Sequence, residues 1–348
     1  MDRAGAELIV ASPPSARPLL PETPAIHEVR LAVRAWLHAH PSREVTVALS
    51  GGPDSAALTA AALAEAEVVH AVVVDHRLQS GSGIVAERAA EFARERGCAT
   101  ARVVGVEVTG RGGLEAAARA ARYRALDEHR DGRPVLLGHT LDDQAETVLL
   151  GLGRGAGLRS IRGMAAFDRP WGRPLLEVRR DTTRRACREL GYEPYEDPHN
   201  ADDRFTRVRL RREVLPLLED VLNGGVAEAL ARTAGQLQED GHALDLWAAD
   251  LRARACLEGD RLDAGVLASA PAAVRRRAVR SWLIDHTVSP NETMLRAVDD
   301  LVAAWRGQGP VAVGRGAGPG TRLVVSRRRG SLAVEYVDRP KAQATGRR

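Results

Sequence analysis

Apolar and polar residues alternate in two different rhythms along the first half of the chain. Between Glu44 and about Arg154, short apolar runs alternate with longer segments whose apolar residues recur every three or four positions. The short runs predict buried strands, and the longer segments predict amphipathic helices. Their alternation predicts a doubly wound α/β domain, a parallel sheet with helices on both faces. The predicted strands are Val45–Leu49, Val68–Val74, Ala101–Val108 and Pro134–Leu137, and the predicted helices are Asp54–Ala66, Ile84–Arg96, Leu114–His129 and Asp142–Leu152.

After Arg173 the pattern becomes mainly helical. Ser289 is predicted to cap one helix, with Pro290 at its first position and Glu292 as the capping-box partner. Two apolar runs, 321–326 and 331–336, predict a C-terminal β-hairpin. The other predicted helices are 181–190, 204–218, 226–254 and 272–286. We therefore expect a disordered leader at 1–24, a catalytic α/β domain at 25–220, a mainly helical domain with the hairpin at 221–337 and a disordered tail at 338–348.

The composition excludes several classes of protein. Cys98, Cys187 and Cys256 are odd in number and far apart, which argues against a disulfide framework, a zinc knuckle or a redox pair. The proline-containing leader lacks a secretory pattern, and no run of about 18 apolar residues predicts a membrane span. We expect a cytoplasmic protein. Nearly all of the 50 basic residues are arginine, and Lys341 is the only lysine. This bias suits phosphate binding, but high-GC codon usage would produce it as well.

The strongest chemical signal is the loop Ser50-Gly51-Gly52-Pro53-Asp54-Ser55, between a predicted strand and a predicted helix. Its glycines let backbone N–H groups approach an anion, and the helix N-terminus adds a positive dipole. The hydroxyls of Ser50 and Ser55 can donate hydrogen bonds to phosphate oxygens. The carboxylate of Asp54 beside a polyphosphate implies a bridging Mg²⁺. A Walker A loop is excluded because no lysine is near, and the remaining alternative is a Gly-Pro turn with a serine cap.

Two helix faces following predicted strands also carry charge. Arg119 and Arg122 lie three residues apart, where they can meet developing phosphate charge, although a solvated face has the same spacing. Asp143 and Glu146 are likewise three apart and predict a small anionic pocket suited to an ammonium group. Acidic residues early in a helix can also simply complement its dipole. His139 lies at the end of the fourth predicted strand, and the sequence leaves open whether it assists the reaction or has a structural role.

These segments, together with Val74-Asp75-His76 and Arg173-Pro174-Leu175-Leu176, resemble the tRNA(Ile)-lysidine synthetase family of the PP-loop class over roughly residues 44–220. The resemblance implies that ATP adenylates the C2 oxygen of the wobble cytidine in an isoleucine tRNA with a CAU anticodon. Free L-lysine then displaces AMP. It implies Mg²⁺ at Asp54 and, in some members, a homodimer.

The resemblance also implies roles for individual residues. It assigns catalysis to Asp54, Arg119, Arg122, Asp143 and Glu146, and ATP binding to Ser50, Gly51, Gly52, Pro53, Asp54, Ser55, Asp75, His76 and His139. The sequence departs from the family pattern at two places. Arg77-Leu78-Gln79 replaces an expected Gly-Leu-Arg, and Val208 replaces an expected Asn. The second departure follows the loop Asp197-Pro198-His199-Asn200 and leaves open whether this loop contacts RNA in the usual way.

A tRNA substrate also requires a phosphate-binding surface outside the reacting centre. Two arginine clusters are candidates, and a solvated helix surface is the alternative for both. The first, next to the catalytic domain, comprises Arg204, Arg207, Arg209, Arg211 and Arg212, and the second comprises Arg275, Arg276, Arg277 and Arg280.

Two other functions stay open on the sequence. A PP-loop tRNA thiolase would relay sulfur through suitably placed cysteines, which the spacing of the three cysteines does not favour. A non-catalytic RNA-binding or nucleotide-binding protein on the same fold would not need Asp54, Asp143 and Glu146. Release of AMP and pyrophosphate would distinguish an enzyme from a binding protein.

Overall fold

The structure, a computed structural model, describes residues 19–79, 81–109, 113–155, 157–195, 203–316, 318 and 320–338. Residues 1–18 of the expected leader and 339–348 of the expected tail lie outside the described part. The chain forms two compact units, Met1–Leu237 and Gln238–Arg348. The division falls inside a long helix, α10 (Val226–Ala255), which follows the boundary expected at residues 220–221.

A six-stranded sheet organises the first unit, with the strand order β3-β2-β1-β4-β6-β5. Its strands are β1 (Glu44–Ala48), β2 (Val68–Asp75), β3 (Thr100–Gly105), β4 (Val135–Leu136), β5 (Phe167–Asp168) and β6 (Trp171–Gly172). All neighbours pair in parallel except β5, which is antiparallel to β6. The predicted α/β architecture is confirmed. The β5–β6 pair was not predicted, because two-residue strands carry no periodicity.

Helices cover both faces of this sheet, and they include two that the sequence did not predict. The helices are α1 (Pro24–Ala39), α2 (Pro53–Glu65), α3 (Ser82–Glu95), α4 (Leu114–His129), α5 (Leu141–Arg154), α6 (Leu158–Ile161), α7 (Arg180–Glu189), α8 (Thr206–Arg209) and α9 (Leu215–Val221), with a π-helical turn at Leu210–Val214. Of these two, α6 is short and the longer helix is α1. Thr23 caps it, Pro24 occupies its first turn, and Val29, Val33 and Trp36 are buried in the same core as α2 and α7.

The second unit contains more strand than expected. The predicted hairpin is present as β10 (Thr321–Arg328) and β11 (Ser331–Asp338), within a five-stranded sheet ordered β7-β8-β11-β10-β9. The other elements are β7 (Cys256–Leu257), β8 (Arg261–Asp263), α11 (Ala264–Ala268), α12 (Ala272–Asp285), α13 (Glu292–Ala303) and β9 (Val311–Arg315). Trp282 and Leu283 of α12 are fully buried in its core.

Two details of this unit differ from the sequence predictions. Ser289 does not cap the last helix. Asn291 does so, and its side chain accepts a hydrogen bond from the Met294 N–H, because α13 begins only at Glu292. In the second arginine cluster, Arg275 is buried and its Nη2 lies 3.1 Å from Asp299 Oδ2. This guanidinium therefore holds α12 to α13 and is not part of an open phosphate-binding surface.

The other arginines of that cluster also have partners within the second unit. Arg276 lies 3.4 Å from a carboxylate oxygen of Glu292, and Arg277 lies 3.4 Å from one of Asp245. Arg280 donates a hydrogen bond to the carbonyl of Pro290. No helix among the described residues has the length and apolar character needed to cross a membrane.

Candidate active site

The glycine-rich loop connects β1 to α2 at the carboxyl edge of the sheet, where ligands bind in folds of this kind. Gly51 has a φ of +81°, in the left-handed region that favours glycine. Its carbonyl accepts hydrogen bonds from the Tyr192 hydroxyl at 3.3 Å and the Tyr195 N–H at 3.2 Å. The hydroxyls of Ser50 and Ser55 lie 3.1 Å apart. The segment after α7 and the two serines therefore fix the shape of the loop.

A second glycine brings the neighbouring strand end against this loop. A Cβ atom on Gly138 would lie 3.1 Å from the carbonyl carbon of Asp54 and 3.1 Å from the backbone nitrogen of Ser55. Both of these are backbone atoms, so they cannot move aside as the end of a flexible side chain would. The absence of a side chain at position 138 therefore allows the start of α5 to approach the start of α2.

Gly138→Ala is expected to destabilise the fold by about 1–3 kcal/mol, because the added methyl group overpacks this contact. It is also expected to raise the KM for ATP, because the backbone that moves belongs to the glycine-rich loop. Urea unfolding and steady-state kinetics measure the two effects. Gly153→Ala in α5 is the matched control, since a Cβ there meets nothing within 4 Å. It should leave the KM for ATP unchanged and stabilise the helix by about 0.5–1 kcal/mol. Equal free energies of unfolding for the two variants would contradict the steric argument.

Asp54 lies in the first turn of α2, partly buried, and its carboxylate faces α7. The Thr183 hydroxyl hydrogen-bonds to its Oδ1. Burial raises the pKa of Asp54 above the usual value, and the hydrogen bond from Thr183 only partly opposes this. The partly buried carboxylate is thus an unfavourable group in the folded protein, as perturbed carboxyl groups at functional sites often are.

Asp143 and Glu146 lie together, as their spacing predicts, and both contact the same guanidinium. Nη2 of Arg180 lies 2.6 Å from Asp143 Oδ1 and 3.1 Å from Glu146 Oε1. Glu146 is fully buried, and Nε of Arg211 lies 2.8 Å from its Oε1. The anionic pair is therefore embedded between two arginines from α7 and the π-helical turn.

Asp143 also forms the capping box of α5. Its Oδ2 accepts hydrogen bonds from the Thr140 N–H at 2.8 Å and the Thr140 hydroxyl at 2.9 Å. Burial alone would raise the pKa of Asp143, but the charge of Arg180 and the Thr140 hydrogen bonds outweigh it, and the pKa lies below the usual value. A carboxyl group held in the ionised form is suited to binding a cation and is a weak base.

Two positive side chains of α4, Arg119 and Arg122, interact electrostatically with His139 at the end of β4. The Nε atom of Arg122 is buried and, in the part of the chain described, has no hydrogen-bond partner. Burial lowers the pKa of this guanidinium. Arg119 is exposed, donates to the Tyr123 hydroxyl at 3.0 Å and lies over the Tyr123 ring. A guanidinium with a buried, unsatisfied Nε atom beside a second arginine fits an anion such as a phosphate group.

His139 lies among these groups and is neutral at physiological pH. Burial lowers its pKa to about 3, with the charges of Arg122 and Arg173 adding to the effect and that of Asp143 opposing it. A base with a pKa near 3 cannot hold a proton at neutral pH. Arg173, which the sequence analysis did not assign to the site, is buried and donates to the carbonyl of Ala165 at 2.9 Å.

Asp75 and His76 lie at the end of β2, as expected for an adenosine-binding position. The next residue, Arg77, stands where the family pattern has glycine, and its backbone has a conformation that favours glycine. Arg77 has a φ of +52°, a conformation in which glycine would be unstrained. Asp75 Oδ1 accepts a hydrogen bond from the Arg77 N–H at 2.9 Å, and the Arg77 guanidinium lies against Gly105. These contacts support a non-glycine residue in this turn.

The arginines expected to bind tRNA lie in two places. Arg204, Arg209 and Arg212 are exposed; Arg209 pairs with Glu213 at 2.9 Å and Arg212 with Asp203 at 3.2 Å. Arg211 and Arg207 face inwards instead. Arg211 contacts Glu146, and Arg207 lies 3.5 Å from the Thr147 hydroxyl. Val208 is buried, and residues 196–202 of the preceding loop lie outside the described part.

The residues described contain no cluster of three or more His, Cys, Asp or Glu side chains arranged to hold a metal ion. Asp54 contributes a single carboxylate to the glycine-rich loop, which also carries the hydroxyls of Ser50 and Ser55. This donor set fits Mg²⁺ that is bound mainly through substrate phosphates, because Mg²⁺ commonly uses one or two carboxylates together with phosphate oxygens and water.

The fold and this site define a PP-loop protein, and the chain matches the family model described as a PP-loop domain over residues 26–218. Residues 262–333 match the model described as the TilS substrate binding domain. The chain is 65% identical over 323 residues to the tRNA(Ile)-lysidine synthase of Rhodococcus jostii, covering 92% of this chain and 99% of the relative. It is 56% identical over 316 residues to that of Mycobacterium tuberculosis, covering 89% and 97%. The chain belongs to the tRNA(Ile)-lysidine synthase family.

A solved structure gives the same fold at greater distance. The U34-tRNA thiolase NcsA from Methanococcus maripaludis, with its [4Fe-4S] cluster, superposes with a TM-score of 0.52 and 18% identity, over 62% of this chain and 80% of that chain. At this identity the similarity supports the PP-loop fold alone.

Proposed function

We propose that this chain joins free L-lysine to C2 of the wobble cytidine in an isoleucine tRNA with a CAU anticodon, at the expense of ATP. The observation that carries the proposal is the arrangement of Asp54 and the pair Asp143 and Glu146. The phosphate-loop carboxylate and the buried acidic pair lie at one sheet edge and are bridged by a single turn of α7. A reaction that uses both ATP and a cationic amine requires such a juxtaposition.

In the first half of the proposed reaction, the C2 oxygen of cytidine attacks the α-phosphate of ATP and pyrophosphate leaves. The N–H groups of the loop at Gly51 and Gly52 and the N-terminus of α2 bind phosphate oxygens. Bound Mg²⁺, held by Asp54, would offset the charge of the pyrophosphate. Arg122 and Arg119 steady the α-phosphate, because the Nε atom of Arg122 is buried and has no hydrogen-bond partner among the described residues.

In the second half, the ε-amine of lysine attacks C2 and AMP leaves. Asp143 and Glu146 orient the amine by binding its ammonium form. The low pKa of Asp143 favours this binding role over proton uptake, so we assign removal of the ammonium proton to solvent or the departing AMP phosphate. The exposed arginines Arg204, Arg209 and Arg212 supply phosphate contacts that position the tRNA.

Sulfur transfer is a weaker alternative on the same fold. Burial raises the pKa of the Cys98 thiol to about 12 and of the Cys187 thiol to about 11, and both thiols are therefore protonated at physiological pH. A relay of sulfur requires thiolates. A cytoplasmic location and a homodimer remain further proposals, the second of which sedimentation of the purified chain tests.

The proposed function is tested by incubating the protein with ATP, Mg²⁺, radiolabelled lysine and total bacterial tRNA, and counting precipitable label after mild alkali. Alkali removes an aminoacyl ester but leaves lysine joined to a base. We expect stable label on one isoleucine tRNA. If AMP is released on addition of tRNA but no lysine is incorporated, the amine is not lysine and the proposal fails while ATP chemistry stands.

A further inference from the structure

The residue that connects the two halves of the site is Arg180, at the first position of α7. Its side chain is 9% exposed, and one of its nitrogens lies between the carboxylates of Asp143 and Glu146. Two carboxylates this close repel each other unless a cation lies between them. The position of this guanidinium therefore determines the spacing of the two acids and offsets the repulsion between them.

The backbone of Arg180 is fixed as well as its side chain. Its N–H donates a hydrogen bond to Asp142 Oδ2 at 2.7 Å. The neighbouring Arg179 contacts Asp142 Oδ1 at 3.2 Å and Glu228 Oε1 at 2.7 Å. The start of α7 is thus attached to the start of α5 and to the first turn of α10, so the guanidinium of Arg180 extends from a well-defined point.

The same helical turn reaches the phosphate loop. The Thr183 hydroxyl lies 2.7 Å from the carbonyl oxygen of Arg180 and also hydrogen-bonds with Asp54. Arg180 and Thr183 are three residues apart, on one face of the helix. A single rigid turn therefore sets the distance between the carboxylate of the ATP half of the site and the carboxylates of the amine half.

Arg211 does not duplicate this arrangement. It contacts Glu146 at 2.8 Å, but its contact with Asp143 is 3.6 Å, against 2.6 Å for Arg180. Its side chain is 29% exposed and extends from the π-helical turn, a different element. Of these two arginines, only Arg180 belongs to α7, the helix that contacts Asp54, Asp142 and the acidic pair.

We propose that Arg180 is a positioning residue for the amine-transfer half of the reaction, which acts by holding Asp143 and Glu146 in place for the lysine ammonium group. This inference rests on the proposed function. The role of Arg180 differs from that of the groups that touch ATP, because loss of Arg180 should affect lysine binding more than adenylation.

The test compares Arg180→Gln and Arg180→Lys with Arg185→Gln, a matched control on the exposed face of α7. Each full-length variant is assayed for Tm, for tRNA-dependent ATP–pyrophosphate exchange without lysine, and for the KM and kcat of lysine incorporation. We expect Arg180→Gln to raise the KM for lysine by about 10-fold or more, as for a misplaced binding group, with a much smaller change in exchange. Arg180→Lys, which keeps the charge, should recover part of the affinity, and Arg185→Gln should match the wild type.

A merely structural role would lower exchange and lysine incorporation in the same proportion and leave the KM for lysine unchanged. If the variants give that result and the wild-type protein incorporates lysine, the role of Arg180 is overturned and the proposed function stands. If Arg180→Gln does not fold, Arg180→Lys decides: a wild-type KM for lysine overturns the inference. Wild-type protein that incorporates no lysine at all overturns the proposed function and this inference together.

Discussion

An Asp54→Asn variant is expected to fold at least as stably as the wild-type chain and to lose ATP-dependent lysine incorporation by about 100-fold or more. The two effects have opposite signs because the carboxylate is partly buried. Its pKa is raised, so ionising the carboxyl group costs more free energy in the folded state than in the unfolded state, and the ionised group lowers stability at neutral pH. Asparagine removes that cost, can still accept a hydrogen bond from Thr183, and removes the negative charge that meets a cation at the phosphates.

Thermal unfolding at neutral pH and the lysine incorporation assay measure these two effects. Asp181→Asn is the matched control, because Asp181 lies in the first turn of α7 with its side chain exposed. It should leave the incorporation rate unchanged. The explanation is wrong if Asp54→Asn lowers the Tm and loses activity only in proportion to the unfolded fraction, since the carboxylate would then be structural.

Glu146→Gln is expected to lower kcat/KM for lysine by about 100-fold, because the ammonium group loses a charged partner. It is also expected to destabilise the fold by about 3 kcal/mol. Glu146 is fully buried between Arg180 and Arg211, and removing its charge leaves two guanidinium groups with a single carboxylate, Asp143, between them. Exchange of pyrophosphate into ATP should persist, since the phosphate loop is not altered.

Denaturant unfolding gives the change in stability, and the two kinetic assays are carried out well below the Tm, so that the folded fraction does not limit the rate. Glu128→Gln, at an exposed position of α4, serves as the control and should behave as the wild type. Lysine incorporation and exchange that both remain at wild-type rates in Glu146→Gln would refute the amine-binding role of this residue.

The sequence predicted those parts of the site that a local pattern encodes. The glycine-rich loop follows an apolar strand, and the three-residue spacing of Asp143 and Glu146 places them on one helix face. The identity of their partners could not be predicted. Arg180 lies 34 residues from Glu146 and Arg211 lies 65 residues away, and no periodicity links such distant positions.

Surface and interior arginines also look alike in a sequence. Arg211 was predicted to contact tRNA because it lies among four others, yet it faces Glu146. Arg275 is buried against Asp299, a partner on another helix. Thr183 had no signal in the sequence, and Arg173 had only its place in the motif Arg173-Pro174-Leu175-Leu176. Burial and pairing are decided by tertiary packing, which spacing along the chain does not record.

The close contact of Gly138 with the backbone of Asp54 has a genetic consequence. Every amino acid that a glycine codon can reach by one base change carries a Cβ atom. All missense mutations at this codon therefore press on the glycine-rich loop. A second-site suppressor would have to shift that loop or the end of β4, since the atoms in contact belong to the main chain. In a mutagenesis library, codon 138 should be depleted of missense changes, and codon 153, which has open space around it, should not be.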